Sequence, residues 1–93
     1  MLTLDSTVKL ANDVIFQDLD GEAVLLNMQT EIYFGLDAVG TRIWHLLQQH
    51  GVVRLVVQPL LDQYDIGEDQ LQKHLLEFIE KLQSKGLVEV QGS

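Results

Sequence analysis

Three histidines are the side chains best suited to metal or acid–base chemistry in this sequence. His45 and His50 are five positions apart, so they point in different directions on one helix, and His74 lies in another predicted helix. No acidic residue stands at a ligand spacing to them, as it does in H-E-x-x-H. Cysteine is absent, which excludes a thiolate zinc site, a disulfide and a Cys nucleophile. The sequence therefore predicts no metal ligands and no cofactor.

The serines and glycines do not form a catalytic or phosphate-binding motif. Ser6 and Ser93 lie near the termini, Ser84 lies in the last turn of a predicted helix, and none has the context of a nucleophile elbow. Gly35 and Gly40 lack the Lys and Ser/Thr that complete a phosphate loop. We therefore predict a chain that is not an enzyme and has no catalytic residues.

The charge balance constrains the partners. The 93 residues carry 14 acidic and 6 basic side chains, a formal net charge of −8 that repels phosphate backbones and anionic lipids. No basic segment followed by an apolar run opens the chain, and no apolar stretch approaches the roughly 20 residues of a membrane helix. At 46% hydrophobic residues, the composition is that of a globular protein. We expect one cytoplasmic domain over residues 1–93, with no nucleic-acid and no membrane partner.

The first 36 residues predict an antiparallel β-meander of three strands. Strand-forming patches at residues 8–10 and 14–16 are separated by a turn signal at 11–13. Asp20 and Gly21 predict a tight hairpin before a second strand over residues 22–28. A third strand covers residues 32–34 and ends near Gly35.

From Asp37 the hydrophobic period changes from two residues to about 3.6, which predicts helices. The first begins at an Asp37 N-cap and ends at Gly51, and the second covers residues 53–63, although Pro59 is unfavourable there. The third covers residues 68–84 and is followed by a short final strand. The predicted fold class is α+β: a three-stranded antiparallel β-meander followed by three helices, similar to a winged helix-turn-helix.

The winged helix-turn-helix outline raises a DNA-binding hypothesis. Glu68 and Asp69 open the third helix, where a recognition helix would approach phosphates, and the chain has no basic patch. A winged-helix DNA-binding protein therefore remains only a remote alternative.

A second hypothesis comes from the third strand and the third helix. The strand would lie at a sheet edge, where its unpaired N–H and C=O groups can accept an added strand. The helix carries a wide apolar stripe, which is either ordinary core or one wall of a groove beside that edge. The stripe contains Leu71, Leu75, Leu76, Phe78, Ile79 and Leu82.

The ordered set of motifs resembles the PqqD-like family, whose members are recognition elements for ribosomally synthesised and post-translationally modified peptides. Residues 25–47 read LLNMQTEIYFGLDAVGTRIWHLL, with an aromatic third strand, a Leu-Asp helix start and an Ile-Trp pair. The Tyr64-Asp65-Ile66 turn and the Lys85-Gly86-Leu87 end of the third helix are also similar. The resemblance covers residues 7–89.

The resemblance implies a binding module that holds the leader segment of a precursor peptide as an added strand. The module then presents the peptide to a separate leader peptidase or modifying enzyme. Residues 33–37 are most similar to the stand-alone leader-binding protein of split lasso-peptide systems. A peptide chaperone for a radical-SAM enzyme, as in PQQ biosynthesis, is the alternative.

The resemblance also implies which residues contact the leader. The strand contacts, mostly through the backbone, are Glu31, Ile32, Tyr33, Phe34, Gly35 and Leu36, and the helix contacts are Gln72, Leu75, Leu76, Ile79 and Gln83. Alternation places Ile32 and Phe34 on one face and Tyr33 on the other, and it leaves open which face meets the ligand. Family members often have Gly at the position of Glu31, so a positive φ there would strain the chain by about 1 kcal/mol. The net charge further predicts that Lys or Arg of a leader is steered toward the domain.

Overall fold

Two antiparallel sheets and three helices make up the structure, a computed structural model that describes residues 2–20 and 22–92. In chain order, the elements are β1 (Thr7–Leu10), β2 (Val14–Leu19), β3 (Glu22–Asn27), β4 (Tyr33–Leu36), α1 (Ala38–His50), α2 (Arg54–Gln63), α3 (Glu68–Ser84) and β5 (Val88–Gln91).

The predicted β-meander is the sheet β2-β3-β4, and three helices follow it. Both strand pairs are antiparallel, with Ile15 opposite Leu26 and Leu26 opposite Tyr33. The α+β class predicted from the sequence is therefore confirmed. The predicted hairpin at Asp20 and Gly21 lies partly outside the described residues.

A second sheet, which the sequence analysis did not predict, joins the two ends of the chain. β1 pairs antiparallel with β5, with Val8 opposite Val90. Asp13 has a φ of 66° in the turn between β1 and β2, which separates the two predicted patches into strands of different sheets.

Side chains from both layers form one apolar core. On β3, Ala23 and Leu25 face the helices, because alternate residues of a strand point to the same side. Trp44 of α1 is only 2% exposed and lies in this core, as predicted. Leu47 of α1 and Leu60 of α2 are also fully buried.

The predicted ends of α1 are confirmed. The Asp37 carboxylate accepts a hydrogen bond of 2.7 Å from the Gly40 N–H, as an N-cap does. Gly51 ends the helix with a φ of 79°. In α2, Pro59 has no N–H to donate the helical hydrogen bond to the Leu55 carbonyl. Leu55 is 52% exposed, so water can reach this turn of the helix.

Candidate functional site

One edge of β4 has no strand partner among the residues that the structure describes. The Asn27 N–H donates a 2.9 Å hydrogen bond to the Ile32 carbonyl, which fixes the phase of the β3–β4 ladder. Because successive residues of an antiparallel strand alternate between its two edges, Phe34 and Leu36 bond to β3. Tyr33 and Gly35 therefore turn their N–H and C=O groups toward the unpaired edge.

Asn27 holds the beginning of β4 beside the end of α3. Its buried side chain accepts hydrogen bonds from the N–H groups of Gln29 (2.9 Å) and Thr30 (3.1 Å) in the β3–β4 turn. Its Nδ2 donates a 3.0 Å bond to the Gly86 carbonyl, which follows α3. The amide thus links the turn that starts β4 to the end of the helix that packs beside it.

Glu31 completes the same turn with a φ of 64°. Its N–H donates a 2.8 Å bond to the Asn27 carbonyl. The positive φ that the sequence analysis considered at this position is therefore present. A non-glycine residue in this region is strained by about 1 kcal/mol.

A groove lies between β4 and α3. The half-buried Phe34 of β4 packs edge-on against Phe78 of α3, with ring centroids 6.4 Å apart. Beside this pair is a hollow of about 370 Å³. We call it the β4–α3 groove, and it is lined by Phe34, Gly35, Leu36, Asp37, Val39, Gly40, Ile43, His74 and Phe78.

The end of the groove near Leu36 adjoins a largely apolar hollow. This second hollow, of about 200 Å³, shares Val39, Ile43 and His74 with the groove. Its other walls come from α2, the α2–α3 turn and the start of α3, through Leu60, Tyr64, Ile66, Leu71 and Leu75. The two hollows together can accept apolar side chains from a ligand that extends past the end of β4.

Two lysines of the α3 end lie beside the groove on the side of Tyr33. The Lys85 ammonium lies 6.0 Å from the centroid of the Phe34 ring. One turn earlier on α3, Lys81 lines a hollow of about 220 Å³ with His74, Glu77 and Phe78. The groove therefore has ends of different chemical character.

Comparison with known proteins identifies the family. The family model of coenzyme PQQ synthesis protein D (PqqD) matches residues 22–88, well over half of the chain. The chain belongs to the PqqD family. The family resemblance predicted from the sequence is confirmed, and no curated protein gives a significant match.

Two solved structures are similar to this PqqD-family chain over almost its full length. One is described as TbiB1 in complex with the TbiA(beta) leader peptide; it is 35% identical, with a TM-score of 0.85 and coverage of 91% of this chain and 99% of that one. The other is described as lasso peptide synthetase B1 complexed with the leader peptide. It is 18% identical, with a TM-score of 0.83 and coverage of 89% and 98%, and it shows likeness of fold alone.

In this PqqD-family structure, the six predicted strand residues lie together at the unpaired edge and the turn before it. They are Glu31, Ile32, Tyr33, Phe34, Gly35 and Leu36. Phe34 faces α3 and lines the groove. Tyr33 points off the opposite face of the sheet and is 72% exposed.

The five predicted α3 residues do not lie in the groove. Leu75 lines the neighbouring hollow rather than the groove, and Ile79, which is 0% exposed in the core, lines neither; their contact with a ligand stays a prediction. Gln72 bonds to Glu68 at 3.0 Å and lines a different depression, with Leu4 and Arg54 among its residues. At about 100° per residue, Leu76 and Gln83 lie on the opposite flank of the helix from Phe78.

The flank of α3 that does line the groove carries His74, Phe78 and Lys81, and Lys85 follows at the helix end. The apolar stripe on α3, which the sequence indicates as a possible groove wall, is mainly core, so this flank was not predicted. The detectable signal was the 4-3-4 spacing of these residues along the edge of the stripe that contains Phe78.

Metal and membrane sites have no support in the described residues. Among residues 2–20 and 22–92, no three His, Asp or Glu side chains come close enough to hold a metal ion. No helix in the described ranges is long and apolar enough to cross a membrane.

Proposed function

We propose that this chain binds the leader segment of a ribosomally synthesised precursor peptide as a strand added to β4. The observation that carries the proposal is the unpaired β4 edge lying directly beside the β4–α3 groove. A partner enzyme, either a leader peptidase or a modifying enzyme, would then act on the presented peptide. The chain itself contributes binding and no catalytic step.

Main-chain and side-chain contacts would have different roles in such a complex. The outward N–H and C=O groups of Tyr33 and Gly35 can pair with any extended peptide, each bond contributing about 0.5–1.5 kcal/mol. Phe34 and Phe78 present apolar surface next to that edge. Burying one apolar ligand side chain there contributes about 1.5–3 kcal/mol and depends on its identity. Pairing thus supplies affinity, and the groove supplies selectivity.

The two similar leader-peptide complexes, one of them a lasso peptide synthetase B1, favour lasso-peptide maturation over a radical-SAM pathway. TbiB1 was solved with a leader peptide and is 35% identical to this chain over 91% of its length. Because precursor peptides are made on ribosomes, we place the binding event in the cytoplasm.

Charge supports a peptide ligand rather than a nucleic acid. Glu68 and Asp69 are exposed in the first turn of α3, the segment that enters the major groove in helix-turn-helix proteins. Two carboxylates at that point would repel DNA phosphates.

Fluorescence anisotropy with labelled leader peptides tests the proposal. The probes are the TbiA(beta) leader peptide and the leader of any precursor encoded next to this chain. We expect saturable binding with a Kd in the submicromolar to micromolar range. If neither probe saturates at tens of micromolar, leader binding is contradicted.

Two half-buried residues on opposite flanks of α3 provide a matched pair of variants. Phe78→Glu places a charge in the groove and should weaken binding at least about tenfold, because apolar contact is lost. Leu76→Glu places the same charge outside the groove and should leave the Kd unchanged. Circular dichroism establishes that both variants fold. If Leu76→Glu weakens binding and Phe78→Glu does not, the ligand lies on the other flank.

A further inference from the structure

We propose that the Tyr33 end of the β4–α3 groove is a carboxylate subsite, in which Lys81 and Lys85 pair with an acidic side chain of the bound peptide. The inference rests on the proposed function and adds the chemical nature of one ligand residue. It concerns the charged end of the groove and is independent of the apolar hollows.

The basic side chains divide into two groups in the described part of the chain. Three of the 6 are engaged away from the groove: Lys9 with Glu89 (3.8 Å), Arg54 with Asp5 (2.7 Å) and Arg42 with Gln63 (2.9 Å). Among the described residues, no carboxylate lies within 4.0 Å of the other three basic side chains, which are Lys73, Lys81 and Lys85. In a chain with a net charge of −8, two cations without an acidic partner beside one groove are an unusual feature.

Lys81 and Lys85 flank the aromatic pair of the groove. Lys85 Nζ lies 6.0 Å from the centroid of the Phe34 ring, and Lys81 lines a hollow together with Phe78. Lys73 is on the same helix, at about 140° from Phe78 around the axis. It lines none of the hollows described above.

The direction of α3 fixes which end of β4 the lysines occupy. The 3.0 Å bond from Asn27 to the Gly86 carbonyl places the end of α3 at the start of β4. His74, farther back on α3, lines the groove together with Leu36 at the end of β4. The helix thus runs antiparallel to β4, with its lysines at the Tyr33 end.

The acidic groups near the subsite are not paired with its lysines. Glu77 lines the same hollow as Lys81 but is not within ion-pair distance of it. Glu31, in the turn just before Tyr33, also forms no ion pair with either lysine, so both ammonium groups remain available to a ligand carboxylate. The lysines also complement the negative end of the α3 dipole, so removing them affects the helix even without a ligand. Binding measurements separate these two roles.

The local charge and the overall charge act on different parts of a leader. The net charge of −8 attracts Lys and Arg at long range, as the sequence predicts. At contact distance, the Tyr33 end of the groove favours Asp or Glu. A bound leader is therefore expected to carry an acidic residue at the register position that faces Lys81 and Lys85.

A Glu/Gln scan of the labelled TbiA(beta) leader peptide tests the subsite. Each position in turn carries Glu or Gln, and anisotropy at about 50 mM salt gives the two Kd values. One position, or two alternate positions, should bind about 3- to 10-fold more tightly as Glu than as Gln, the range expected for one or two partly exposed ion pairs. The difference should shrink at about 0.5 M salt, where screening is strong.

Variants of the chain assign the effect to the two lysines. The Lys81→Gln/Lys85→Gln double variant should abolish the Glu preference, and Lys81→Arg/Lys85→Arg should retain it. Lys9→Gln/Lys73→Gln changes the net charge by the same amount away from the groove and should also retain it. Thermal melts followed by circular dichroism report any loss of helix stability.

The outcomes distinguish the subsite from the proposed function. If both glutamine double variants change the Glu preference equally, or if no position prefers Glu, the subsite is wrong although leader binding stands. If the unmodified leaders do not bind to the unmodified chain, the proposed function itself is wrong.

Discussion

Replacing Gly35 by proline removes a single outward-facing donor from the β4 edge. The Gly35 N–H points away from β3, so the change breaks no bond of the β3–β4 ladder. No heavy atom outside Gly35 and its two chain neighbours lies within 4 Å of a Cβ built at this position. Proline is tolerated on edge strands for these reasons, and we expect the free domain to fold.

The expected increase in the Kd for the leader follows from the lost hydrogen bond. If a leader pairs with β4, its carbonyl opposite Gly35 loses its partner while the complex still excludes water. An unsatisfied buried acceptor costs about 1–3 kcal/mol. At about 1.4 kcal/mol per tenfold change, Gly35→Pro should raise the Kd about 5- to 150-fold.

Asp18→Pro is the matched control for the anisotropy assay. Met28 N–H donates to the Asp13 carbonyl at 2.7 Å. The β2–β3 register then turns the Asp18 N–H toward the outer edge of β2, which has no strand partner among the described residues. This variant should bind leader with an unchanged Kd. Equal affinity of the Gly35→Pro variant and the unmodified chain, with both folded, would refute strand addition at β4.

Three further predictions concern stability, measured by thermal or denaturant unfolding. Ile79→Ala should lower the free energy of unfolding by about 2–5 kcal/mol because Ile79 is fully buried. Leu76→Ala should lower it by less because Leu76 is only half-buried. Equal losses would contradict this difference in burial. Asp37→Ala removes the cap on the Gly40 N–H and should lower the free energy of unfolding by about 1 kcal/mol, or Tm by about 4–8 °C. Asp37→Ser should restore most of that stability. An unchanged Tm in Asp37→Ala would show that the cap contributes nothing. Glu31→Gly should raise the free energy of unfolding by up to about 1 kcal/mol because it relieves the positive φ, and a decrease would contradict that strain.

The sequence predicted the elements whose signals are local. The Asp37 cap, the Gly51 helix end and the change of hydrophobic period at residue 37 depend on residues close together in the chain, and the structure contains all three. The pairing of β1 with β5 joins segments about 80 residues apart, and no local pattern specifies such a partner.

The candidate site was predictable only on its strand side. An edge strand exposes its backbone whatever its side chains are, so residues 31–36 could be chosen from topology and resemblance. On α3, an apolar residue in the core and one in a groove have the same helical spacing. Ile79 and Phe78 are therefore indistinguishable by type, and only packing shows that Ile79 is buried and that Phe78 meets Phe34.

Amide hydrogen exchange, read residue by residue by NMR, tests strand addition most directly. With leader peptide at saturation, the Tyr33 and Gly35 amides should exchange much more slowly than in the free domain, because both donate to the added strand. The Phe16 and Asp18 amides, which face the opposite free edge of the sheet, should keep their rates. Unchanged exchange at Tyr33 and Gly35, or protection at Phe16 and Asp18 instead, would contradict leader binding at the β4 edge.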